Sequence, residues 1–415
     1  MFLPIRIENA NIFSTKTYNT ELYFMAHENF WIKFKKNKLA VAGLLFIVAS
    51  VVIGLFGYII SPDSTPFANN QHIEITTIKP GSDINFLHIT NNQQPTESNF
   101  FAKLIFGEKL DHREIPYDSI YFTRNNVVIR EYSEGGVAKL FHKFNIADVC
   151  FALKEEPKVV GADFSIVDIN NNYISINRKE LQQKVLKEHT YNRTFLLGTD
   201  RFGRDLLSRL IIGTRISLSV GFISVAISLI LGIFLGAIAG YYRGWIDNMV
   251  MWFVNVMWSV PTLLMVIAMT MILGKGFWQV FIAIGLTMWV EVARVVRGQV
   301  LSVREKEYVE AARALAFSDW RIMFRHILPN VINPVIIISA ANFASAILIE
   351  AGLSFLGIGV QPPVPSWGMM IKEHYGYIIM DKAFLAVVPG VAIMLMVLAF
   401  TLLGSGLRDA LDTRD

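Results

Sequence analysis

The chain has 415 residues, 53% of them hydrophobic and 17% charged, with a formal net charge of +4. Soluble domains carry about 25% charged residues, so a chain soluble throughout is excluded, and the length has room for about two or three units. The average hides two kinds of sequence: residues 61–197 hold 15 Lys/Arg and 17 Asp/Glu, a soluble density, while long uncharged runs lie elsewhere.

The uncharged runs are 39–60, 216–242, 248–274, 276–290, 329–349 and 383–407. A helix needs about 20 apolar residues to cross a hydrocarbon core of about 30 Å. Five runs reach that length. The fourth can extend through Glu291-Val-Ala-Arg294-Val-Val-Arg297, whose Arg stems reach the headgroups. Six spanning helices are predicted. The first run is too long for a signal-peptide core and no small-residue cleavage site follows it, so it reads as a retained anchor. Met25 stands before a basic segment unlike residues 1–23 and is the expected true start.

With six spans the termini share a side. That side's flanks hold Arg6, Lys16, Lys33, Lys35, Lys36, Lys38, Arg243, Arg294, Arg297, Arg304, Lys306, Arg313, Arg321, Arg325, Arg408 and Arg414, against Lys275, Lys372 and Lys382 on the other. Positive charge collects inside, so both termini are predicted to be cytoplasmic and 61–197 extracytoplasmic. The net charge then reports orientation in lipid. No basic stripe interleaved with aromatics accompanies it, and no nucleic-acid partner is expected.

The expected fold is an all-α polytopic membrane protein with an α+β extracytoplasmic domain inserted between the first and second helices. Its divisions are a cytoplasmic arm (1–38), the first span (39–60), the insert (61–197) and a core with five further spans (198–415). Within the insert, Ser119-Ile-Tyr-Phe-Thr-Arg and Val127-Val-Ile-Arg flank Asn125-Asn126 as a hairpin, and Phe164-Ser-Ile-Val-Asp-Ile with Tyr173-Ile-Ser-Ile-Asn forms a second pair. Residues 136–144 and 178–189 have helical spacing. Cys150 has no intrachain partner and reads as a core residue. His112, His142 and His189 lack metal-ligand spacing and read as ordinary core or surface residues.

No phosphate-binding Gly-x-x-x-x-Gly-Lys-Ser/Thr loop occurs, so any ATP-driven step belongs to another chain and no bound cofactor is expected. Glu291 and Glu350 end apolar runs and read as boundary or interhelix groups; the competing reading is a proton or sodium relay. Residues 303–330 read as helix, corner, helix: good helix formers run from Glu305 to Ala316, Ser318 is an expected N-cap, and Pro329 follows the second helix. Ala311, Ala312 and Ala314 permit close approach of another surface, and Glu310 and Arg313 can pair. Trp320, Met323, Phe324 and Ile327 form an apolar stripe, for which a helix lying on the bilayer is the alternative.

In this stretch Glu310-Ala-Ala-Arg-Ala-Leu-Ala-Phe-Ser-Asp-Trp-Arg321, with Phe324-Arg-His-Ile-Leu-Pro-Asn330, resembles the EAA loop of binding-protein-dependent ABC importer permeases. The C-type permease of the oligopeptide/dipeptide (nickel) group is most similar. Phe34-Lys-Lys-Asn-Lys-Leu-Ala-Val-Ala-Gly43, Leu197-Gly-Thr-Asp-Arg-Phe-Gly-Arg-Asp-Leu-Leu-Ser-Arg209 and Leu353-Ser-Phe-Leu-Gly-Ile-Gly-Val-Gln-Pro-Pro-Val-Pro-Ser-Trp-Gly368 resemble the same group in the same order.

The resemblance implies a bacterial inner-membrane, non-catalytic permease subunit for di- or oligopeptides. Its implied partners are a second homologous permease, two cytoplasmic ABC ATPase subunits that hold ATP and Mg, and an extracytoplasmic substrate-binding protein. It implies that Glu310, Ala311, Ala312, Arg313, Leu315 and Asp319 contact an ATPase. At Ala316 the family usually has Gly, so the corner either keeps helical dihedrals or is strained by about 1 kcal/mol. The insert is far larger than the family's usual first loop; capping the outer mouth or docking the binding protein is its expected role. Residues 198–209 read either as a partner contact or as a structured turn. Pro261 and Pro389 are expected helix kinks. The competing functions are an ion-coupled transporter or channel acting alone and a membrane-anchored scaffold or sensor.

Overall fold

A computed structural model describes residues 30–94, 99–133, 140–274 and 276–411. The proposed start at Met25, most of the N-terminal arm, Lys275 and Arg414 lie outside these residues.

The membrane body is built from long apolar helices. Helix α1 (Lys38–Leu55) opens on Asn37, whose side chain accepts from the Ala40 amide at 3.1 Å, and after a break at Phe56 the chain makes one further turn, Gly57–Ile60. The insert follows and contains helix α2 (Arg178–Glu188). Helix α3 (Leu206–Tyr242) begins ten residues before the expected span, because the Asp205 carboxylate caps the Ser208 amide at 2.9 Å. Helices α4 (Gly244–Trp258) and α5 (Thr262–Leu273) occupy the expected third span but meet at 94°. Pro261 accounts for the bend: it disfavours helical backbone at Val260 and donates no hydrogen bond.

Helix α6 (Phe277–Arg304) runs past Arg297 as expected; the short α7 (Glu307–Ala314) follows. Residues Asp319–Ile322 and a π-helical turn Met323–Ile327 lead without interruption into α8 (Leu328–Leu356). The short α9 (Trp367–His374) and the last long helix, α10 (Phe384–Leu411), complete the body; Pro389 sits inside α10 without breaking it. Among the described residues, five helices are long and apolar enough to cross a membrane, or six if the bent pair α4–α5 counts as one.

Small residues let these helices approach closely. Gly232, Gly236 and Gly240 fall on one face of α3 against α6; a Cβ on Gly236 would lie 2.5 Å from the Ala293 carbonyl oxygen, and one on Gly232 2.5 Å from Val292 Cβ. In lipid, where apolar surface gains little by leaving its solvent, such close packing is the main source of cohesion. Gly43 of α1 faces α10 in the same way: a Cβ there would lie 2.7 Å from the Ala399 oxygen.

Between α1 and α3 lie two antiparallel sheets. The larger has the order β4-β3-β2-β1-β8, from β1 (Ser82–Thr90), β2 (His112–Phe122), β3 (Asn126–Glu131), β4 (Phe141–Asn145) and β8 (Thr190–Phe195); the smaller is β5 (Lys158–Val160), β6 (Asp163–Val167) and β7 (Tyr173–Asn177). Both expected hairpins are present as β2–β3 and β6–β7. Helix α2 also forms as expected, its buried Leu181 and Val185 one turn apart.

The expected helix over 136–144 is corrected in part. Phe141–Asn145 is strand β4, paired with β3 in the register Val127↔Phe144, while residues 134–139 lie outside those described. A run this short is compatible with either period, and strand pairing decides it. The main sheet has two dissimilar faces. Leu87, Ile89, Ile115 and Ile129 join α2 and the smaller sheet in one core, whereas Ile84, Phe86 and Phe195 pack with Ile75 and Ile78 in a second.

Candidate functional site

The residues singled out at the corner fall on two surfaces. Val309 and Ala312 of α7 are fully buried against Tyr241 of α3, Val300 of α6 and Met323. Glu310, Ala311, Leu315 and Ala316 point outward, Leu315 being 68% exposed, and Arg313 is exposed too. Helix α7 is thus riveted to the ends of the long helices by one face and offers the other.

The corner is a Schellman motif. The Phe317 amide donates to the Ala312 oxygen at 3.2 Å and the Ala316 amide to Arg313 at 2.9 Å, with Ala316 at φ +56°. Of the two conformations open to Ala316, the left-handed one is realised, and the missing glycine therefore carries strain. Tyr241 fixes the far side: its hydroxyl donates to Asp319 Oδ1 at 2.7 Å, and the guanidinium of Arg313 lies 5.5 Å from its ring centroid.

Four details differ from expectation. Glu310 and Arg313 form no ion pair; Arg313 turns to Tyr241 instead. Ser318 has the extended backbone of an N-cap, but its side chain makes no capping hydrogen bond. The apolar stripe splits, with Met323 and Ile327 buried while Trp320 and Phe324 stack on each other, exposed, at 5.5 Å. Finally, Pro329 does not end the second helix. The π turn shifts the bonding so that the Leu328 amide reaches Met323, and Pro329, which lacks a donor, enters in the first turn of α8.

At the opposite end of the body, residues 198–209 fold into a buried ionic knot. Arg204 Nε donates to Asp200 Oδ2 at 2.6 Å and Arg204 Nη2 to Glu373 Oε2 at 3.1 Å, while Arg209 lies 3.5 Å from Asp200. Both arginines are almost wholly buried. Arg201 is the outward exception, and the structured-turn reading fits this segment. Glu350, fully buried, accepts from Ser354 Oγ at 2.6 Å beside Ser366, which caps α9. That bond stays within α8, and Ser354 carries the connection on, its Oγ 3.3 Å from Ser366 Oγ.

Glu291 is exposed and lines a cavity of about 300 Å³ at the α4–α5 bend, with Trp258, Met265, Thr287, Met288 and Ser345. Burial pushes the Cys150 thiol up to about 12, so it stays protonated, in keeping with a core residue.

One of the three histidines noted in the sequence does not stand alone. His112 meets His88 and Glu114, with His72 nearby, although these residues are up to 42 positions apart. Strand register brings them together, with His88 opposite Glu114 and Thr90 opposite His112. The available signal was the two-residue spacing of His112 and Glu114 in a β-rich run. His142 pairs with Glu131 at 2.8 Å and His189 lies against the His88 carbonyl, so these two keep ordinary structural roles.

Residues 232–414 match the family of binding-protein-dependent transport system inner membrane components, and residues 28–77 match the N-terminal transmembrane domain of oligopeptide transport permease C. A glutathione transport system permease protein of Pectobacterium atrosepticum is 42% identical over 52% of this chain and 72% of its own. A dipeptide permease of Alkalihalophilus pseudofirmus is 40% identical over 61% of this chain and 81% of that one. A di/tripeptide permease of Pseudomonas aeruginosa is 45% identical over 53% and 72%. The chain belongs to this permease family.

The two family matches leave residues 78–231 between them, a stretch that holds most of the insert and the first part of α3. The outward face of α7 and the strained corner lie wholly within the matched permease region. As in the family, this is a polytopic membrane subunit that translocates, with ATP hydrolysis belonging to separate subunits.

Proposed function

We propose that this chain is one half of the pore of an ABC importer for small peptides, di- and tripeptides and glutathione-like peptides in particular. The peptide permeases among its relatives support that substrate class. Its partners are a second homologous permease, two ATPase subunits carrying ATP and Mg, and a binding protein delivering substrate. The membrane is the bacterial inner membrane, both termini are cytoplasmic, and the insert lies outside, where it docks the binding protein.

The observation that carries the coupling role is the two-sided α7. Its inner face is fixed to α3 and α6, so force applied to the outer face moves the spans themselves. Glu310, Ala311, Arg313 and Leu315 are the contacts with the ATPase, and Ala312 and Asp319 hold the helix from behind. The cavity at the α4–α5 bend lines the path. Methionine, tryptophan and threonine around one carboxylate grip varied peptides without demanding one side chain.

The test is cross-linking in the assembled transporter. In a Cys150→Ser background, Ala311→Cys paired with single cysteines on the ATPase surface gives an oxidative cross-link that responds to ATP, and Trp245→Cys, exposed on α4, gives none. Absence of any cross-link from both Ala311→Cys and Leu315→Cys, in a complex that still imports dipeptide, sinks the coupling assignment.

A further inference from the structure

The insert holds a cluster that transport by the permease core does not use. Glu114 Oε1 lies 3.5 Å from His88 Nε2 and 3.4 Å from His112 Nε2. The three donor atoms lie within 4.8 Å of one another. In a tetrahedral shell with bonds of about 2.1 Å, neighbouring donors stand about 3.4 Å apart. The two distances from the carboxylate match that spacing.

The surroundings are those of a metal site. His112 Nδ1 lies 2.7 Å from Asp111 Oδ1, a partner that in the neutral ring holds the proton on Nδ1 and turns the Nε2 lone pair toward Glu114. The rings of His88 and His112 stack at 4.0 Å. The His88 Nε2 atom is buried and makes no hydrogen bond. Glu114 is 7% exposed and held by Tyr191, whose hydroxyl donates to Oε1 at 2.8 Å, and by Asn70, whose amide donates to Oε2 at 2.7 Å; His72 Nε2 is 3.4 Å from Oε2. A cavity of about 630 Å³ lined by Asn70, Gln71, His72, His112 and Glu114 gives an ion a route from solvent.

We propose that His88, His112 and Glu114 bind one divalent transition-metal ion of the zinc class, with a fourth position left to water or to an incoming ligand. Two imidazoles and one carboxylate suit Zn²⁺ and disfavour Ca²⁺ or Mg²⁺, which take oxygen shells. Among the described residues a second close group of acids and histidine, Asp200, Glu373 and His374, is excluded because Arg204 and Arg209 already neutralise its carboxylates. The ion would clamp β1 to β2. Beside it, the His72 amide donates to the Phe202 oxygen, so the clamp adjoins the turn that feeds α3.

The experiment uses the full chain, purified in detergent and stripped with a chelator. Zn²⁺ titrated against a chromophoric chelator is expected to bind at one ion per chain, and His88→Gln with His112→Gln to weaken it at least about 100-fold, while Asp111→Asn weakens it about 10-fold. His142→Gln leaves binding unchanged. Saturable binding that survives the double substitution, or no stoichiometric binding by the wild-type chain, overturns the proposal. Co²⁺ in the wild-type chain reads the site without any variant. Strong visible absorption of a four-coordinate nitrogen-containing shell supports it, and the weak absorption of a six-coordinate ion overturns it. No arm of the experiment depends on transport, so its failure leaves the permease assignment untouched.

Discussion

The membrane body and the insert solve different cohesion problems. In the body, contact is set by small residues: Gly232, Gly236 and Gly240 bring α3 against α6 so closely that a methyl group has no space. In the insert, large side chains such as Phe86, Phe164 and Ile129 fill cores on both faces of the main sheet, and polar groups meet across β1 and β2. Water drives the second kind of packing and lipid does not. Substitutions that add volume should therefore damage the body most, and substitutions that change charge should register most at the joint and in the insert.

The sharpest way to break the comparison is Gly236→Leu. The new side chain starts 2.5 Å from the Ala293 oxygen, and neither helix can retreat without unseating α7, which shares the same core. The expected outcome is loss of monodisperse protein in detergent gel filtration and loss of peptide uptake. A Leu at Gly376, whose added Cβ meets nothing within 4 Å, leaves both intact.

Next in size is the joint. Arg204→Ala removes a buried guanidinium from between Asp200 and Glu373, and breaking a buried pair costs about 3–5 kcal/mol. Arg201, 40% exposed and 3.7 Å from Glu373, contributes at most about 1 kcal/mol. Comparing the unfolding midpoints of Arg204→Ala and Arg201→Ala separates a structural knot from a surface contact. Equal small losses would refute the knot.

These features were unequally legible in the sequence. Apolar runs and helix signals located the spans because period and length are local properties, and the EAA resemblance drew attention to the corner after α7. The 94° bend at Pro261 and the continuation of the helix through Pro329 could not be separated by the same reasoning, since each is a proline in an apolar segment. The π turn before Pro329 decides the second case, and it depends on the packing of Met323 and Ile327. The His88, His112 and Glu114 cluster was hidden for a related reason. Its members meet through the register of β1 against β2, which no spacing along the chain encodes.

The cluster also makes the insert respond to pH. Burial pushes the Glu114 carboxyl up, but the close imidazoles of His112, His72 and His88, with the hydrogen bond from Tyr191, outweigh it and hold the group far below the ordinary carboxylate range. The bond to Glu114 raises His112 against the effect of burial, with Asp111 adding to the rise. The stability that His112 contributes is full below its unfolded value of about 6.5 and fades as pH climbs through the raised folded value. That from Glu114 is present above about 4.3 and is lost as pH falls further. The metal-free chain is therefore expected to melt highest in mild acid. In His112→Gln the decline on the alkaline side shrinks. Because Zn²⁺ needs deprotonated imidazole, its stabilising effect grows as pH rises, opposite to the metal-free trend; parallel trends with and without Zn²⁺ would contradict the site.

The smallest expected effect lies in the body, at Ala316. Its φ of +56° costs an L-residue about 1 kcal/mol, which glycine avoids, although glycine also loses more chain entropy on folding. Ala316→Gly should therefore raise the unfolding midpoint by an amount worth at most about 1 kcal/mol and leave peptide uptake in place, because the Phe317-to-Ala312 and Ala316-to-Arg313 hydrogen bonds need only the left-handed backbone. Ala316→Val should do the reverse, since a β-branched side chain in that conformation crowds its own carbonyl and opens the corner that aims Leu315 outward. If uptake fell in Ala316→Gly while stability rose, the strain itself would be part of coupling, holding α7 at an angle that a relaxed corner does not keep.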